Sequence, residues 1–172
     1  MASTIGSKKT ITVVVTMAWL LYDIMNETFL RGRTIQNADN HKAVASMFAS
    51  EDEENREKIL RSIKKGFAEV KAAISEYLDE STTSVDTKPI SGDEDLTLTL
   101  KMPSNFNESA TAGIGEAVHD YLKNKTISEW YLVTNSSDAE AYAGLAAASM
   151  QNVLQAVSKR ARPVKPSDTT GE

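Results

Sequence analysis

Two spacings of apolar residues run along this chain, and the switches between them mark out its elements. Ile11, Val13, Val15 and Met17 recur every second residue inside a β-branched run, the pattern of a half-buried strand at about 9–16. From Ala18 the spacing changes: Leu20, Leu21, Ile24, Thr28 and Phe29 recur three or four apart, which predicts a helix over 17–31 with Gly32 as its stop. Residues 35–41 read as loop. A short helical piece follows at 43–49, with Val44, Met47 and Phe48 on one side.

Ser50-Glu51-Asp52-Glu53 has the spacing of a capping box, in which a serine hydroxyl and a glutamate satisfy each other's backbone amides, and its acidic cluster suits the positive end of a helix dipole. Beyond it Ile59, Leu60, Ile63, Phe67, Val70, Ile74, Tyr77 and Leu78 form a complete stripe, with Arg56, Lys58, Arg61, Lys64, Lys65 and Lys71 largely between them, so a helix is predicted over 51–79. Gly66 costs it about 1 kcal/mol relative to alanine, which such a stripe outweighs. After a turn-rich stretch, Leu96, Leu98, Leu100 and Met102 alternate with polar residues up to Pro103, a second strand. A lone strand needs a partner, either 82–87 across the turn or the N-terminal strand; an edge left open is available to a neighbouring subunit.

A third long helix is predicted to open near Asn107 and to carry Ile114, Val118, Tyr121, Leu122, Ile127, Trp130, Tyr131 and Val133. Its apolar surface is broad, as in helices that touch more than one neighbour. Ser137-Asp138-Ala139-Glu140 is a second capping box, and Tyr142, Ala143, Ala146, Met150, Val153, Leu154 and Val157 make the stripe of a fourth long helix, antiparallel to the third across a short link. Ala143, Ala146, Ala147 and Ala148 would admit another helix closely. The fold expected is mainly α: an antiparallel bundle of about four helices with a small β element at 9–16 and 82–102, forming one domain over 1–158, then an extended basic tail over 159–172.

Composition changes this picture little. With 41% hydrophobic and 25% charged residues the chain is an ordinary globular one, and a formal charge of −5 argues against a general nucleic-acid binder. Without cysteine there is no disulfide, thiolate nucleophile or Cys-based zinc site. Lys8 and Lys9 before an apolar run resemble a signal peptide, but threonines interrupt the run and no small-x-small cleavage site follows, so no secretion is expected, and the run is too short to span a membrane.

Glu116-Ala117-Val118-His119 has the Glu-x-x-His spacing of di-iron bundles, which need a second such pair. The other histidine, His41, has Ala38 where the glutamate would stand, so both residues read as surface polar positions. Gly113-Ile114-Gly115 lacks the third glycine and the preceding strand of a dinucleotide fingerprint. No catalytic, cofactor-binding or metal residues are assigned, and an enzyme is not expected. The notable cluster is Lys159, Arg160, Arg162 and Lys165, four cations in seven positions. Lys159 and Arg160 suit the negative end of the last helix. Pro163 and Pro166 take the chain out of helix, so Arg162 and Lys165 point to docking on an acidic groove, plain solubility or phosphate contact.

Taken in order, Thr10-Ile11-Thr12-Val13-Val14-Val15-Thr16 leading to a helix, the 96–102 strand, Tyr121-Leu122 through Ile127-Ser128-Glu129-Trp130-Tyr131, Thr134-Asn135, Ser137-Asp138-Ala139-Glu140-Ala141-Tyr142 and Lys159-Arg160-Ala161-Arg162-Pro163 give the chain its likeness. It resembles head-tail connector (adaptor, or neck ring) proteins of tailed bacteriophages, of the prophage or crAss-like type, over most of its length. The resemblance implies a non-enzymatic virion protein made in the bacterial host cytoplasm. It would form a homo-oligomeric ring, twelvefold if it matches a portal, between the portal protein and a tail or second neck protein, and DNA would pass through it transiently. It also implies partner contacts through Lys159, Arg160, Arg162, Pro163 and Lys165, and subunit contacts through the strand residues Ile11, Val13, Val15, Leu96, Leu98 and Leu100. No cofactor and no membrane enter this reading. A cytoplasmic helical protein-interaction module is the alternative.

Overall fold

The computed structural model describes residues 7–37, 39–50, 52–79 and 91–163. Their elements are β1 (Lys9–Val15), α1 (Met17–Ile35), a short α2 (His41–Ala45), α3 (Glu53–Ala73), β2 (Leu96–Met102), α4 (Thr111–Thr134) and α5 (Ser136–Val157), with single 3-10 turns at Ser75–Tyr77 and Glu108–Ala110. The fold is mainly helical with a small two-stranded antiparallel sheet. β1 pairs with β2 from Lys9 opposite Met102 to Val15 opposite Leu96, so of the two expected partners the N-terminal strand is the one taken; 82–87 lie outside the described residues.

α4 is the hub. It packs against α1, α3, α5 and β1, which accounts for its broad apolar surface. Cross-contacts fix the directions: Ser62 and Glu69 of α3 meet Glu129 and Tyr121, so α3 runs antiparallel to α4, as does α5, while Asp23 meets His119 and Arg31 meets Asp138 just past the end of α4, which sets α1 parallel to it. Met17, Leu20 and Ile24 of α1, Ile63 and Val70 of α3, Leu98, Leu100 and Met102 of β2, and Ile114, Leu122 and Tyr131 of α4 meet in one continuous core. Among the described residues no helix is long and apolar enough to cross a membrane.

Several boundaries differ from the sequence expectation, each for a tertiary reason. α1 continues past Gly32, whose place is a close approach: a Cβ there would collide with the Phe48 ring. The glycine lets the 44–48 segment press on the helix. α3 stops at Ala73 because Leu78 and Asp79 turn aside to the outer edge of β2, where Leu78 bridges Leu100 and the Asp79 amide donates to Thr99 O at 3.0 Å. Gly66 is again a contact point, its absent Cβ making room for Leu122 Cδ2.

Neither capping box forms. Ser50 Oγ donates to Asp52 Oδ2 and receives Asn55 Nδ2, and the N-cap residue of α3 is Asp52. Before α5 only Asn135 separates two helices, so the turn is built on its backbone carbonyl, which accepts the Asp138 and Ala139 amides. Ser137 Oγ bonds Asn135 Oδ1 instead of a helix amide. The first amide of α1 finds its acceptor far away: Met17 N donates to Asp95 Oδ1 at 2.9 Å, a carboxylate placed at the positive end of the helix dipole by the start of β2.

Candidate functional site

The base of the C-terminal segment is built into the fold. Phe106 and Arg160 form an antiparallel bridge, the Ala161 amide donates to Asn105 O at 2.8 Å, and the Asn107 amide donates to Lys159 O at 3.3 Å. Arg160 Nη1 donates to Val157 O at 3.0 Å, closing the carbonyl end of α5, and Nη2 reaches the Tyr77 hydroxyl. Thus, of the cations expected in an extended arm from 159, Arg160 closes its own helix end, and Arg162 is the first cation past the backbone pairing with 105–107. Lys159, Arg162 and Pro163 are exposed. Lys165 lies outside the described residues.

The strand residues singled out for subunit contact have another occupation. Val13, Val15, Leu96, Leu98 and Leu100 are buried, and Ile11 is half-buried against them, because the face that alternation makes apolar is the face the α4 side of the core covers. Their side chains are therefore not available to a neighbour. The outer edge of β2 is partly occupied by Leu78 and Asp79. β1 is paired on one edge alone among the described residues.

Beside that open edge lies a feature that the sequence reading left unassigned. Trp19 and Tyr22, at the start of α1, are 65% and 56% exposed, and their rings stand 6.3 Å apart at 86°. Val14, also exposed, lines the same cleft as Trp19, whereas Tyr22 borders a separate hollow beside Arg56. A cleft of about 500 Å³ runs from Thr12–Thr16 of β1 past Trp19 to the first turns of α4, with Asp23, Glu116, His119 and Asp120 on its border. His119 Nε2 sits 2.8 Å from Asp23 Oδ2 and the imidazole is largely covered, so this residue ties α4 to α1 and is not a surface position; Glu116 is exposed as expected. The signal for the aromatic pair was their spacing. Trp19 and Tyr22 fall off the 20–24–28 stripe, on a face where a solvated helix would carry charge.

Other ionisable groups hold helices together. Arg31 clamps Asp138 with bonds of 2.6 and 2.8 Å, and these bonds hold the Asp138 carboxyl below its ordinary range against the opposing effect of burial. Tyr142 donates to Glu27 at 2.8 Å, and burial raises Tyr142 and, to about 12, Tyr131. Burial pushes Glu129 up, but the bonds from Lys65 and Ser62 together with the charges of Lys65 and Lys125 hold it below its ordinary range. Each pair bridges two helices. Among the described residues, no three His, Asp or Glu side chains converge in a way that could hold a metal ion.

α5 buries one stripe, including Tyr142, Ala146, Val153 and Val157, against α4, and leaves Ala143, Leu145, Ala147 and Ala148 in solvent; of the alanines expected to admit a helix, Ala146 does so within the chain. No family model matches this chain, and neither the curated proteins nor the solved structures include a match to it.

Proposed function

We propose that the chain is a structural subunit that works by shape and surface, assembling into a ring at the head-tail interface of a tailed-phage particle and gripping its neighbours with the basic C-terminal segment. The observation that carries this reading is the anchoring of that segment: pairing of Arg160 with Phe106 fixes its root, while Arg162 and Pro163 leave the body exposed. A rooted, cationic, proline-containing arm suits capture of an acidic surface on a portal or a second subunit. The net charge of −5 is compatible with a channel that DNA must traverse without sticking. The phage assignment itself comes from the resemblance of the elements in their order.

Images of negatively stained protein with and without portal test it, with rings or portal-bound collars as the expected outcome. Because Lys159–Ala161 are part of the fold and Val157 is buried, the informative truncation is after Ala161. That variant should keep the parent's helical circular dichroism and bind portal about tenfold more weakly. Equal portal binding by the shortened chain would refute the arm. The exposed Trp19–Tyr22 pair favours a second reading, a helical interaction module with one partner, for which the same images would show a small discrete oligomer or complex and no ring.

A further inference from the structure

We propose that the free edge of β1 pairs, antiparallel and across a two-fold axis, with the β1 of a second copy of this chain; the inference goes beyond the ring reading and does not depend on it. Among the described residues β1 has a neighbouring strand on one side alone. The register says which of its residues point the other way. In an antiparallel ladder two opposed residues either exchange both bonds or both turn them outward. Thr99 O is turned outward, to the Asp79 amide on the far edge of β2, and Thr99 stands opposite Thr12. Thr12 therefore holds its amide and carbonyl on the free edge of β1, and with a period of two so do Thr10 and Val14.

The side chains of these same residues lie in solvent. With the axis through Thr12, that residue meets its own copy and Thr10 meets Val14 on either side of it. These are β-branched pairs, which suit the outer face of a sheet, and they cover a valine that is 52% exposed in the single chain. Beneath the edge α4 contributes Ala112 and Gly115 to the cleft, small residues where longer side chains would crowd an added strand.

The same register complements charge. It places Lys8 of one copy opposite Thr16 of the other, in the cleft that Asp23, Glu116 and Asp120 border. Lys9 is held by Glu108 at 2.8 Å, whereas Lys8 is exposed. Asp23 is shared with His119, and Asp120 lies 3.4 Å from Lys123, so the exposed Glu116 is the carboxylate assigned to Lys8. The axis makes that contact twice. Members of a two-fold pair face opposite ways while the subunits of a ring face the same way, so the pair belongs to the free protein, where it covers a β-branched edge until assembly parts it.

Sedimentation of the full chain without portal, from about 1 µM to about 1 mM, tests the contact. The parent should form dimers and nothing larger, and hydrogen exchange at the Thr10, Thr12 and Val14 amides should slow as the dimer fills. Thr12→Pro removes an amide that β2 does not use, so it should keep the parent's helical circular dichroism and weaken pairing about tenfold or more. Lys8→Glu and Glu116→Lys should each weaken pairing about tenfold, since each homodimer then sets like charges together twice. Mixed in equal amounts, those two variants should pair as tightly as the parent does, because the mixed dimer restores both contacts. A parent that stays monomeric, Lys8→Glu or Thr12→Pro dimers as tight as the parent's, or a mixture no tighter than its components would overturn the proposal. Oligomers larger than dimers from the mixture would make the contact head-to-tail and overturn it too. Portal-bound rings from a chain that is monomeric when free would sink the pairing and leave the ring reading standing; dimers of a chain that never forms portal-bound rings would do the opposite.

Discussion

α4 and α5 are consecutive, nearly equal in length and joined by a single residue, yet they solve opposite problems. α4 touches α1, α3, α5 and β1, and spends bulky side chains such as Ile114, Leu122, Trp130 and Tyr131 on every side. α5 rests on α4 along one stripe and turns alanine, glycine and glutamine toward solvent, with Asp138 and Glu140 its only charged residues. Both look apolar and weakly one-sided in sequence. Side-chain size separates them: large residues all round mean a helix surrounded by neighbours, and small uncharged ones mean a helix lying on the outside with a bare surface.

That contrast can be put under strain from its strongest point downward. Leu122→Ala, fully buried where α4 meets Gly66 of α3, should cost about 3 kcal/mol in urea unfolding; a loss under 1 kcal/mol would mean that α4 is not the centre of the core. Asp138→Asn loosens the clamp by which α1 holds α5. With Arg31 43% exposed and screened by solvent, about 1 kcal/mol is expected. Its pH dependence follows from the lowered carboxyl: the stabilisation is complete above the unfolded value near pH 4 and drains away as pH falls through the folded one. The gap between parent and variant should therefore narrow in acid, and a constant gap would argue for a purely steric role. Leu145→Ser, on the bare face of α5, should change stability by less than about 0.5 kcal/mol, and a larger loss would show that this face is already covered.

The sequence made the helices and their order legible because each carries a stripe long enough to outvote local exceptions. It misled where a distant contact overruled a local signal. Gly32 had the appearance of a helix stop and is instead the site of pressure from Phe48; Tyr77 and Leu78 continue the α3 stripe by spacing, but the edge of β2 claims them. The capping boxes failed because other side chains took the serines: Ser50 bonds Asp52 and Asn55, and Ser137 bonds Asn135. For the tail, the sequence could not show that Arg160, exposed like Arg162, is bonded to Val157 O at the end of its own helix. The exposed Trp19–Tyr22 pair was legible only in negative, as two aromatic residues on the side of α1 where none was required.

The bond from the Met17 amide to Asp95 crosses 78 residues of chain, and the strand that pairs with β1 lies farther on still, from Leu96 opposite Val15 to Met102 opposite Lys9. On a ribosome adding about 5–20 residues per second, β1 therefore waits roughly 4–19 s, β-branched and without its partner, before its complement is made. Its outward positions Thr10 and Thr12, and the lysines Lys8 and Lys9 at its head, are residues that discourage sticking to another nascent chain during that interval.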